Sequence, residues 1–401
     1  MIDPRSATTD PPVHQTADRH MRVLWLVPAV YFLFVAAEFL ALMNLALTLT
    51  ERGWSAFAVG AIASAFWLGI LAASTRAHRM VEVFGHAKTF VAATGLATLS
   101  IATLPWHAVY AGWLAAAAVL GLGGGLVWVS GEAWLAESAP KERRGLYVGL
   151  FETSVGLGTV AGPALLPVAA WLGIAPLHGS AGLMAACLVC SLALLGAARG
   201  PADDGDLPPG SPQSDAAEWR RVALPLAAIV VVSGLMESGI SSLLPSISMR
   251  VGFEMQAAAW LGAVIGAGSA LLQSPFGLVA DRIGFRRAMG VAWLVILATL
   301  AALVLSVEAP QRVLWPVGFL LGGVGGAVYT LVVIELGHRL AGSGLVKAMG
   351  LLVTAYTAGT VGGPALGGWL FDHTGLAGLA LALLAVGLLG AGLAWRAVRT
   401  R

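Results

Sequence analysis

Long apolar runs alternate with short polar stretches along almost the whole chain. A helix rises about 1.5 Å per residue, so about 20 mostly apolar residues cross the hydrocarbon layer of a bilayer. Read between the charges, such runs occupy residues 23–48, 57–75, 89–106, 109–131, 146–172 and 180–198. The stretch RGPADDGDLPPGSPQSDAAEWRR then interrupts the series. Its Pro, Gly, Ser and Asp make a flexible, polar connector. A second series occupies residues 222–247, 257–280, 288–307, 313–337, 347–370 and 376–395. The pattern predicts an all-α membrane protein with twelve transmembrane helices in two six-helix bundles. The expected organisation is a tail over 1–22, a bundle over 23–198, a linker over 199–221, a second bundle over 222–396 and a tail over 397–401. The first run is longer than a signal-peptide core and has acidic residues before it, so it is expected to be a retained helix.

Composition agrees with lipid as the solvent. The chain is 58% hydrophobic and 11% charged, where soluble domains average about 25% charged. A formal net charge of +2 gives no reason to expect nucleic acid. Cys187 and Cys190 form a CxxC inside an apolar run, but no second pair or His cluster accompanies them. Buried thiols are expected there, with neither a metal nor a cofactor. His20, His86, His107, His178 and His338 fall at loops or run ends, and His373 follows Asp372; all are expected at interfaces. HExxH and GxSxG motifs are missing, Ser130 and Glu132 in SGEAWLAES have no His beside them, and there is no phosphate-binding loop. The expectation is a non-enzyme that draws no energy from ATP.

Lys and Arg set the expected orientation. With the N-terminus inside, 20 of the 23 basic residues are cytoplasmic, and only Arg52, Arg250 and Arg312 are outside. Both termini are therefore expected in the cytoplasm.

The chain also repeats itself. TVAGPAL (159–165) and TVGGPAL (360–366) lie 201 residues apart. The same offset pairs Gly149 with Gly350 and Gly158 with Gly359, and an offset of 199 pairs Glu38 with Glu237, Glu82 with Asp281 and Gly85 with Gly284. Two copies of a unit with an even number of helices share one orientation, the parallel repeat of the major facilitator transporters. GLVADRIGFRR (277–287) resembles that family's signature between the second and third helices of a half, carried by Gly277, Asp281, Arg282, Gly284, Arg286 and Arg287. The first half keeps a worn copy, HRMVEVFGHAK, with Glu82, Gly85 and Lys88. Gly350, Gly359, Gly363, Pro364, Gly367 and Gly368 match the G-x8-G-x3-G-P-x2-G-G signature that the family's proton-coupled antiporters usually carry in the fifth helix, but they lie in the eleventh run. In the fifth run Gly149, Gly158, Gly162 and Pro163 fit, and Leu166 and Pro167 replace the last glycines. GEAWLAESAPKERRG further resembles small bacterial branches of the family whose substrates are uncharacterised.

The resemblance implies the family's fold and its alternating-access transport of a small molecule. It also implies that the Asp281 loop acts as a cytoplasmic latch. The glycine–proline stripes let helix backbones approach and bend, as a moving surface requires.

Five glutamates lie in or near the ends of the runs: Glu38, Glu132, Glu152, Glu237 and Glu335. No Lys or Arg lies deep in any run. An ionised carboxylate in the bilayer centre costs several kcal/mol unless compensated. Such a group holds a proton, faces water or pairs with a bound cation. Glu38 and Glu237 occupy matching places in the first and seventh runs, which line the central cavity in this family. Tyr31 and Phe34 precede Glu38 by seven and four residues and share its face, giving a surface suited to a cation or amphipathic molecule. Glu132 and Glu335 are second candidates near the cytoplasmic ends, and Glu152 has Lys141, Arg143 and Arg144 nearby as ion-pair partners. The expected function is secondary active transport across a bacterial inner membrane, proton-coupled and favouring efflux, by a monomer whose partners are lipid, protons and a small-molecule substrate. The alternatives are an uptake permease for a small metabolite and, more distantly, a membrane receptor or scaffold.

Overall fold

The computed structural model describes residues 13–107, 109–140, 144–197, 216–340 and 342–399, and these contain helices and no strand. The first half comprises α1 (Val13–Glu51), α2 (Ala56–Ser74), α3 (Ala77–Phe84), α4 (His86–Thr103), α5 (Tyr110–Ser138), α6 (Arg144–Trp171) and α7 (Pro176–Leu192). The second half comprises α8 (Ala216–Arg250), α9 (Met255–Ile283), α10 (Phe285–Leu305), α11 (Leu314–Arg339) and α12 (Gly342–Arg399). Eleven stretches are long and apolar enough to span a bilayer, but the last, Lys347–Ala397, has 51 residues. A straight helix of that length would be about 75 Å long, more than twice the hydrocarbon thickness. Gly375 breaks it: its φ of 67° is a left-handed value natural to glycine, and it divides α12 into two crossings. With that division the described residues hold twelve spans, as the polarity pattern predicts.

Helix extends beyond the apolar runs at several places. α1 begins at Val13, upstream of the first run, and α8 begins at Ala216, inside the stretch expected to be linker. The remainder of that linker lies outside the described residues.

The repeat is visible in the turns. Gly85 joins α3 directly to α4 with φ 77°, and Gly284 joins α9 to α10 with φ 82°. A side chain would strain either corner. Packing repeats too. In the first half α1 packs on α6 and α7, and α2 and α4 pack on α5; in the second α8 packs on α12, and α9 and α10 pack on α11. One large apolar core lies mainly in the first half and is joined by Leu243, Ile247 and Leu379 of the second, another lies within the second half, and Leu40, Met43, Leu47, Leu166, Ala258 and Ala259 form a smaller one between the halves. Exposed Leu68, Leu99, Leu294 and Leu388 offer the outer surface to lipid.

The halves meet through two related pairs, α2 with α12 and α6 with α9. Their contacts concentrate toward one end. A Cβ on Gly60 would lie 2.1 Å from the carbonyl oxygen of Pro364, one on Gly368 2.2 Å from that of Ala56, and one on Gly266 2.7 Å from that of Thr159. Only glycine allows backbones this close. At this end Asp372 of α12 caps α2 from across the interface. Its two carboxylate oxygens accept from the amides of Ala56 and Phe57, each at 2.8 Å. Ser55 Oγ accepts from Ala58 N at 3.1 Å, so side chains satisfy three of the first N–H groups of α2. Arg250 donates to the carbonyl oxygen of Trp54, and Ala365 N donates to Ser64 Oγ at 3.1 Å. At the opposite end Gly149 and Gly350 have nothing within 4 Å of a Cβ, and Glu132, Glu152 and Arg282 are exposed. The molecule is sealed at the end bearing Trp54, Arg250 and Asp372 and parted at the other.

Candidate functional site

Near the middle of the molecule, α1 and α8 each carry one carboxylate against a glycine of a neighbouring helix. Glu38 is 6% exposed. A Cβ on Gly124 of α5 would lie 2.8 Å from Glu38 Oε2, so the missing side chain makes room for the acid. In the second half, a Cβ on Gly325 of α11 would lie 3.2 Å from Glu237 Cβ, and one on Gly326 3.2 Å from Glu237 Oε1. Gly124 and Gly325 are 201 residues apart, the same offset as the glycine stripes. The two acids therefore occupy equivalent niches.

Their partners differ. Glu237 Oε2 accepts from the hydroxyl of Tyr356 on α12 at 2.9 Å. The Gln273 amide of α9 lies close to the same niche, since a Cβ on Gly326 would also meet its Nε2 at 2.3 Å. Glu38 Oε2 is sealed from water and has no hydrogen-bond partner among the described residues. A buried charge of that kind is costly unless a proton or ligand supplies what the protein lacks.

Aromatic rings surround the acids. Tyr31 stacks on Phe151 with centroids 4.5 Å apart and on Phe34 at 6.2 Å. Tyr329 and Tyr356 lie 4.8 Å apart in the other half. Glu132 and Glu152 are within electrostatic reach of each other and of both Tyr31 and Tyr329, so the two halves share one acidic, aromatic region. Being exposed, Glu132 and Glu152 face the parted side. Glu335 has a cationic partner on its own helix. It is buried and bonded to Arg339 one turn along α11, the i,i+4 spacing that favours an ion pair on a helix.

The remaining predicted residues take structural positions. Gly158 and Gly162 lie against α1, and Gly359 and Gly363 against α8, each close enough that a Cβ would collide. Gly367 faces Leu243, while Gly368 and Pro364 meet α2 of the other half. Pro163 packs against Gly262 across the other interface. In the loop signatures, Glu82 pairs with His78 at 2.9 Å on the surface, and Gly277 faces Ile334. Arg282, Arg286 and Arg287 are exposed. The Asp281 side chain and residues 141–143 lie outside the described residues. Among the histidines, His86 contacts Glu137 at 3.0 Å, and His373 approaches the Trp369 carbonyl at 2.8 Å. Among the described residues, no three or more His, Cys, Asp or Glu cluster as a metal site.

Sequence reasoning passed over Tyr356, Gln273, Gly124, Gly325 and Gly326, and took Tyr329 and Asp372 only as neighbours of Glu335 and His373. The repeat offset applied to the glycine-rich stretches GLGGG and GGVGG would have found the niche glycines. Nothing local marks Asp372, whose partners on α2 lie more than 300 residues away.

Comparison with known proteins follows the same lines. The sequence profile of the Major Facilitator Superfamily matches residues 29–258 and 226–401. An uncharacterized MFS-type transporter of Yersinia enterocolitica is 25% identical over 325 residues, covering 80% of this chain and 81% of the relative. The uncharacterized MFS-type transporter YfkF of Bacillus subtilis is 24% identical over 330 residues, covering 79% and 81%. Among solved structures, a bacterial homologue of the human lysosomal transporter Spinster, inward-facing and unoccupied, superposes with a TM-score of 0.75 at 14% identity, covering 95% of this chain and 97% of that one. A D-xylose–proton symporter superposes at 0.71 with 14% identity, covering 94% and 97%; likenesses this distant bear on the fold alone. With the profile spanning both halves of a duplicated, twelve-span architecture, the chain belongs to the major facilitator superfamily of membrane transporters.

Proposed function

We propose that this transporter is proton-coupled and exports a small amphipathic or cationic compound by alternating access. The observation that carries the reading is the pair of equivalent niches holding Glu38 and Glu237, in a molecule sealed at one end and parted at the other. Glu38, with an oxygen that finds no partner among the described residues, is the stronger proton carrier. Exposed Glu132 and Glu152 supply negative charge for a substrate cation, whereas Tyr31 and Phe34, expected to form a binding surface, are buried in the core of this state and support Glu38 from within it. The halves, 23–198 and 222–396, rock about this region on the glycine–proline stripes of α6 and α12. The parted end is cytoplasmic by the distribution of Lys and Arg, in a bacterial inner membrane. When that end closes, the loop of Asp281, Arg282, Arg286 and Arg287, with its worn copy at Glu82 and Gly85, acts as its latch.

The test uses purified protein in liposomes loaded with a fluorescent lipophilic cation, with and without a pH gradient. Gln matches the shape of a protonated Glu and cannot release a proton. Gradient-driven movement is expected to collapse in Glu38→Gln or Glu237→Gln, while substrate exchange without a gradient persists. Gradient-driven movement that survives in both variants and in the double variant sinks the proton assignment. Direction is read in the same assay. Substrate moving against the proton flow is antiport, and substrate moving with it supports the uptake alternative.

A further inference from the structure

Away from the central region, three helix ends meet on the parted side of the molecule. Arg221, Val222, Pro225 and Leu226 at the start of α8, Arg339 at the end of α11 and Ala397 near the end of α12 enclose a cavity of about 160 Å³. The apolar spans to which they belong begin at Trp219, end at Arg339 and end at Ala397. Three separately defined span ends thus set the cavity at the depth where hydrocarbon gives way to headgroups. Trp219 and Trp395, on the same helix ends, are the residue type that concentrates at this depth.

The walls are chemically specific. Two arginines from different helices line one small space, and like charges repel unless something neutralises them. Glu335 bonds to Arg339 through Nε, and the two Nη groups of Arg339 carry four further N–H donors. Arg221 has no acid partner among the described residues. Its neighbour Arg220 lies over the Trp219 ring at 5.5 Å and does not line the cavity. Among the described residues that line the cavity or bond to its lining, two guanidinium charges stand against one carboxylate. A phosphodiester carries one negative charge, and its oxygens match the guanidinium fork. Inorganic phosphate carries more charge near neutral pH and has no apolar part. The floor of Val222, Pro225, Leu226 and Ala397 is apolar, and the same helices continue into exposed Leu224 and Trp395.

We propose that this cavity binds the phosphate of an anionic membrane phospholipid, whose acyl chains run along the apolar surfaces of α8 and α12. The cavity shares no residue with the Glu38 and Glu237 niches, and it stands or falls independently of proton coupling. Juxtamembrane basic groups attract anionic lipid. Here the attraction is focused by a cavity on one headgroup.

The test is native mass spectrometry of delipidated full-length protein titrated with phosphatidylglycerol. The control lipid is a diacyl glycolipid with the same chains and no phosphate. The parent protein is expected to retain one phosphatidylglycerol that the glycolipid does not replace. Arg221→Gln should weaken that binding roughly tenfold, whereas Arg220→Gln, which makes the same charge change one residue away, should leave it intact. Arg221→Lys keeps the charge and loses the fork, so a smaller loss is expected, and it preserves the comparison if the Gln variant fails to fold. Equal retention in the Arg221 variants and the parent overturns the site. Equal retention of the glycolipid removes the phosphate from the argument. Displacement of the lipid by inorganic phosphate at matched concentration reassigns the cavity to free anions and overturns the lipid proposal.

Discussion

Asp372 offers the most direct test of how this transporter is held shut at one end. Its carboxylate bridges the halves by accepting two α2 amides at 2.8 Å, and it places negative charge at a helix N-terminus. A charge-assisted bond away from water is worth about 1.5–3 kcal/mol. The Ala56 bond is only part-buried and the Phe57 bond is exposed, so water recovers much of both when this end opens. About 2 kcal/mol remains as a reasonable sum, which is about 30-fold in the conformational equilibrium. If the opened form were about one molecule in a hundred, Asp372→Ala would raise it to about one in four. Asp372→Asn keeps one acceptor and loses the charge, so about half that free energy is expected to go. Spin labels at Arg52 and Arg312, exposed positions at this end in opposite halves, report the opening after Cys187 and Cys190 are replaced by Ser. In lipid nanodiscs the alanine variant should gain a longer-distance population, and the asparagine variant a smaller one. Distance distributions in the alanine variant that superpose on the parent's would refute the trans-cap as a stabiliser of the sealed end.

Three further outcomes follow from the same geometry. Gly124→Ala puts a Cβ 2.8 Å from Glu38 Oε2 and should cut gradient-driven transport about tenfold or more. Gly182→Ala, which faces open space, should be neutral, and equal rates for the two would remove the niche from the mechanism. The Glu335–Arg339 pair, buried on one side only, should show a coupling of about 1–3 kcal/mol in a double-mutant cycle of thermal unfolding; a coupling near zero means that the pair does not hold α11. Cysteines placed near Trp54 or Gly252 should react with an impermeant thiol reagent on intact cells, and one near Asp206 should not. The reverse labelling would invert the orientation.

The spans were legible because a bilayer imposes a length and forbids unpaired backbone, leaving long apolar helices as the solution for this sequence. The duplication was legible because the repeated motifs keep their spacing through both halves, and Gly85 and Gly284 indeed turn equivalent corners. Glu38 and Glu237 stood out because a carboxyl in an apolar run is expensive wherever the helix points. Contacts between helices were not legible in that way. Nothing within α1 or α8 says that Glu38 Oε2 lacks a partner among the described residues while Tyr356, 119 residues along, donates to Glu237. Asp372 reads locally as an interfacial acid, yet the superposition of the two halves makes it the cap of α2. Arg221 and Arg339 read as topology-setting charges until three helix ends converge around one cavity. Local polarity fixes depth in the membrane, because transfer from water to lipid acts on each residue separately. Partnership depends on which helices abut and at what height, and glycine, by letting backbones close to contact, decides both only when the chain is folded.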